Sequence, residues 1–118
     1  MIEFGSRGRR LPAPPHIVWA SLVHPHQPGA RPWLVLLDDE VAPTVLSSHE
    51  PDAVVWSSLW PSRPRDRVHL DLSAVGEETR LTFTVLTPDD PPDPSKAGHI
   101  RRRLNHLLFA DLRSSYGQ

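Results

Sequence analysis

Apolar and polar positions alternate most cleanly in the middle of the chain. In "RVHLDLSAV", Val68, Leu70 and Leu72 fall on one side and His69, Asp71 and Ser73 on the other, the period of a half-buried strand. "RLTFTVLT" repeats the pattern, with Leu81, Phe83 and Val85 opposite Thr82, Thr84 and Leu86, and "GEET" turns the chain between the two. Upstream, "VVWSSLW" places Val54, Trp56, Ser58 and Trp60 on one strand face and Val55, Ser57 and Leu59 on the other. "PTVLSSHE" reads as a further short strand, followed by a turn at Pro51 and Asp52. Ile2 and Phe4 around Glu3 predict a weak first strand, with Gly5 and Gly8 against it. The three consecutive strands from Val54 onward read as an antiparallel meander with one wet face.

Two segments carry a helical period instead. "PAPPHIVWASLVHP" predicts a short helix with Pro14 or Pro15 in its first turn, an apolar stripe of Ile17, Val18, Leu22 and Trp19, and a stop at Pro25. The longest helix is expected from about Pro94 to Ser114, with Asp93 as N-cap and Pro94 in the first position, though Gly98 could set its firm start back to His99. Its stripe is Ile100, Leu104, Leu107, Leu108 and Leu112, bordered by Phe109. "HPHQPGARP" is a loop, and "WLVLLDDEV" fits a short helix or a strand equally. The order is that of an α+β domain spanning residues 1–118, an antiparallel sheet packed on one face by helices.

Composition narrows the functional classes. The 14 prolines against 6 glycines confine helix to short windows. Without cysteine there is no disulfide, thiolate chemistry or cysteine zinc site. The N-terminal residues lack a signal-peptide core, and no apolar run has the length of a membrane span, so a cytoplasmic location is expected. With 13 basic and 14 acidic residues, no net charge pulls the chain toward nucleic acid. The proline, arginine and alanine usage suggests a GC-rich bacterial source.

In "LPAPPHIVWASLV", "PWL", "RVHLDLSAVGEETRLTFTVL" and "RRRLNHLLFADLR", taken in that order, the chain resembles the START-like, polyketide-cyclase-like (SRPBCC) superfamily over nearly its whole length. The resemblance implies a helix-grip fold: a curved antiparallel sheet of about five to six strands wrapped around a long C-terminal helix, with an apolar cavity between them. Larger members have seven strands, so the size of the cavity is left open here. The resemblance also implies binding of a hydrophobic, lipid- or polyketide-like small molecule. A cyclase or aromatase-type enzyme and a ligand-free interaction module, self-associating as a homodimer through an edge strand, are the alternatives. No catalytic residue carries over by position.

The candidate ligand-binding set is Trp33, Trp56, Ser58, Trp60, Leu70, Phe83, Asn105 and Leu108. The indoles supply apolar area and one N–H each, either to a cavity wall or to a filled core. Trp60, beside the turn "PSRPRD", is expected at the rim. Ser58 could orient a ligand or be an ordinary strand-end serine. Asn105 faces either the cavity or water. Asp111 needs a partner if buried; Arg102 and Arg113 are the local options but face elsewhere on the helix. No histidine or acid is spaced to make Ser57 or Ser58 a nucleophile. His24 and His26 are the closest histidine pair, and His99 and His106 stand two turns apart, so no metal or other cofactor is expected. Arg101, Arg102 and Arg103 read as a solvated helix face, or could pair with Asp89, Asp90 and Asp93. Arg63, Arg65 and Arg67 form a basic tip, either a solvated turn or a contact for an anionic head group.

Overall fold

A computed structural model of the chain describes residues 1–117. The five strands β1 (Ile2–Leu11), β2 (Val45–His49), β3 (Ala53–Ser57), β4 (Arg67–Val75) and β5 (Glu78–Thr87) form one curved antiparallel sheet in the order β1-β5-β4-β3-β2. The predicted meander is present, and β1 closes it by pairing with β5 along its length, from Ile2 opposite Thr87 to Leu11 opposite Thr79. Leu70 lies between Val54 and Phe83, and Trp56 opposite Val68, so one face carries a continuous apolar row. Gly76, at φ +62°, supplies the left-handed residue that the β4–β5 turn requires.

Helix α1 (Pro15–Val23) starts at a proline, which has no N–H to leave unpaired, and its wet and dry faces differ from the predicted stripe. Val18 and Leu22 are buried, Trp19 is half-buried and Ile17 is exposed. Two indoles tie α1 to β3: Trp56 Nε1 donates to the Leu22 carbonyl (3.0 Å) and Trp19 Nε1 to the Ala53 carbonyl (3.2 Å). "WLVLLDDEV" is neither helix nor strand. It belongs to an irregular strap, residues 24–44, in which Trp33 and Leu34 turn inward.

Helix α2 (Pro94–His106) is capped as expected, Asp93 Oδ1 accepting from the Lys96 N–H at 2.9 Å, and Gly98 does not delay it. The α-helix then gives way to a π-helical segment, Leu107–Leu112, before the last α-helical turn, α3 (Arg113–Ser115). Leu107, Leu108 and Leu112 all face the sheet with no exposed surface, together with Ile100 and Leu104.

The core is filled. Trp56, Leu59, Phe83, Leu104 and Leu108 have no accessible surface, so no water-sized space touches them. Leu59 was expected on the opposite face from Trp56. β3 ends at Ser57, the alternation ends with it, and Leu59 turns into the core.

Candidate functional site

The expected cavity between sheet and terminal helix is occupied by the side chains themselves. Trp56, Leu70, Phe83 and Leu108 of the candidate set meet there as core, Phe83 tilted against Phe109 with ring centroids 6.0 Å apart. Trp60 is not at the rim: only 2 % of it is exposed. Ser58 explains why. Its Oγ donates to the Trp60 carbonyl (3.1 Å) and accepts from the Trp60 N–H (3.0 Å), so the hydroxyl folds the turn that tucks Trp60 in. Asn105 is half-buried, with Oδ1 shielded and unpaired among the described residues.

Two clefts lie away from the core, along the strap. A cleft of about 510 Å³ runs between Arg31–Leu37 and the terminal helix, and a second of about 330 Å³ lies between the strap and α1. Arg31, Trp33 and Ser115 border both. Trp33 is the one residue of the candidate set that lines them. It stacks on Trp56 with centroids 6.2 Å apart, and its Nε1–H is buried with no acceptor among the described residues. A buried N–H left unpaired costs about 1–3 kcal/mol.

The strap is held to the helix by Glu40 and Arg103. The guanidinium donates to Glu40 Oε2 (2.7 Å) and Oε1 (3.0 Å) and to the Val35 carbonyl (2.8 Å), and Glu40 Oε1 accepts from the Leu37 N–H (2.9 Å). The Glu40 side chain is fully buried and that of Arg103 nearly so. Glu40 had no signal in the sequence beyond its charge, because its partner is 63 residues away. Arg103 therefore does not pair with the 89–93 linker. That linker is served by the turn before β4, Arg65 pairing with Asp89 (2.9 Å) and Arg63 donating to the Asp90 carbonyl (2.9 Å). Arg63 also pairs with buried Asp66 (2.7 Å) and lies 5.5 Å from the Phe4 ring centroid, so it is a staple and not a free basic tip.

Along the helix wall of the larger cleft, His106 Nε2 stands 3.4 Å from Asp111 Oδ1. Arg102 and Arg113, which the helical spacing turns away from Asp111, do not pair with it; Arg113 donates to the Arg10 carbonyl. In the smaller cleft, Tyr116 donates to Ser21 Oγ at 3.0 Å. Burial pushes its phenol above the ordinary value of 10.0, and the bond to Ser21 opposes this in part. Among the described residues no three His, Asp or Glu side chains converge as a metal site. No helix among them is long and apolar enough to cross a membrane.

The fold has counterparts among solved structures. CalU16 from Micromonospora echinospora superposes with a TM-score of 0.66 at 18 % identity, over 87 % of this chain and 68 % of that one. The Aha1 dimer from Colwellia psychrerythraea gives a TM-score of 0.67 at 14 % identity, over 93 % and 92 %. No family model and no curated protein matches the sequence. At these identities the likeness establishes the fold alone: a curved five-stranded antiparallel sheet packed on a C-terminal helix, the helix-grip architecture.

Proposed function

We propose that this protein binds an apolar or aromatic, lipid- or polyketide-like small molecule, and that the ligand enters the clefts under the strap, not the filled interior. The observation that carries the reading is Trp33, a nearly buried indole, 3 % exposed, that borders both clefts, stacks on Trp56, and has a buried N–H with no acceptor among the described residues. Binding is sequestration: apolar surface leaves water at about 25 cal/mol per Å², and few polar groups orient the guest. Trp33 Nε1 is buried, so a ligand oxygen would reach it only if the strap moved. Within the original candidate set, Trp33 keeps a contact role, Trp56 supports it from behind, and Ser58, Trp60, Leu70, Phe83 and Leu108 hold the scaffold. Asn105 faces neither cleft and keeps only its unpaired Oδ1.

Native mass spectrometry of freshly purified protein tests this, paired with a titration of 1-naphthol followed by tryptophan emission. A co-purifying small molecule, or saturable quenching, supports the reading. No carried ligand and no saturable response with any apolar probe removes it.

A second reading, self-association, is favoured by one feature. β2 is an edge strand free of proline and lysine, and its Leu46 side chain is 47 % exposed. The Aha1 likeness was solved as a dimer. A dimer mass that Leu46→Lys converts to monomer would favour this reading.

A further inference from the structure

We propose that the ligand of the clefts carries a carboxylate or similar oxyanion, and that Arg31 holds it; this rests on the binding reading above. The larger cleft is bordered by three basic side chains, and two of them are already matched. Arg103 gives its donors to Glu40 and to the Val35 carbonyl. His106 faces Asp111, the cleft's only lining acid. Arg31 differs. Among the described residues its one hydrogen bond runs from Nη1 to the Ser114 carbonyl at 3.3 Å, near the long end for such a bond. No carboxylate of the described residues lies within 4.0 Å of it.

A guanidinium has five N–H donors in a planar fork, so Arg31 keeps most of its capacity unmatched among the described residues. Its position decides what that capacity can do. Arg31 borders both clefts and is two residues from Trp33, so an aromatic body against the indole would bring an attached carboxylate to the fork. Carboxylate geometry matches that fork in a bidentate fashion, and a charge-assisted pair is about twice as strong as a neutral one. A cation left exposed at the junction of two part-apolar clefts, while its neighbour Arg103 is paired and buried, is the arrangement expected for a group that waits for an external anion.

The test uses 2-naphthoate and its neutral isostere 2-naphthamide, bound to the full chain by isothermal titration calorimetry at low ionic strength. The wild type should prefer naphthoate about tenfold, the size of one charge-assisted hydrogen bond. Arg31→Gln should bring that ratio close to one, while Arg9→Gln, on an exposed stretch of β1, should leave it intact. Equal affinities in the wild type, or a preference that survives Arg31→Gln, overturns the oxyanion assignment and leaves the apolar-binding reading standing. Binding of neither probe overturns both.

Discussion

His106 and Asp111 are five residues apart, yet their side chains approach to 3.4 Å. At about 100° per residue, an α-helix would set such positions roughly 140° apart, on different faces. The π-helical segment Leu107–Leu112, which intervenes between α2 and α3, closes on the i,i+5 spacing and brings the pair together on the cleft wall. Both groups are solvent-accessible, so the contact shapes the wall more than it stabilises the fold. A double-mutant cycle of His106→Ala and Asp111→Ala in urea should give a coupling energy below about 1 kcal/mol.

The Glu40–Arg103 staple should behave differently. Glu40 is buried and bonds both the guanidinium and the strap backbone. Glu40→Ala leaves a nearly buried guanidinium uncompensated, and the expected loss is about 3 kcal/mol in urea unfolding. Replacing both partners by Leu and Met should cost less than that single change. A Glu40→Ala variant as stable as the wild type would mean the strap is not held this way.

Tyr116 is the chain's only tyrosine, so its ultraviolet titration is unambiguous. Burial raises the folded-state pKa above 10.0, the value expected when unfolded. The folded state thus favours the neutral phenol. The associated stability is fully present below pH 10 and is lost as pH rises through the folded pKa. Tyr116→Phe should flatten that alkaline decline.

Leu70→Ala probes the filled interior. Deleting a buried leucine side chain should cost about 2–5 kcal/mol. Because Leu70 borders neither cleft, probe affinity measured on the folded variant should stay within about twofold of wild type. A loss of apolar-ligand affinity beyond that would place the wild-type site in the interior after all, whereas a gain would report only the new cavity.

The parts of the fold legible in the sequence are those set by local periodicity. The β4–β5 hairpin, the Asp93 cap and the leucine stripe follow from alternation, capping and helical spacing, and the ordered motifs pointed to the helix-grip architecture. The site was much less legible. Trp33 lies in a segment with no period, so nothing local says that it turns inward to stack on Trp56. Trp60 seemed a rim residue because a proline turn follows it, but the Ser58 hydroxyl redirects the backbone. Glu40–Arg103 is a long-range pair, and His106–Asp111 depends on a π segment whose leucine-rich sequence reads equally well as α-helix.

The central claim is that ligand binding occurs under the strap at Trp33. Its most direct test is an NMR titration of the four ¹⁵N-labelled indole N–H signals with 1-naphthol. The structure predicts that Trp33 moves most and Trp56, stacked behind it, moves less, while Trp60 and Trp19 hold still. Shifts led by Trp60, or no saturable movement of Trp33, would contradict it.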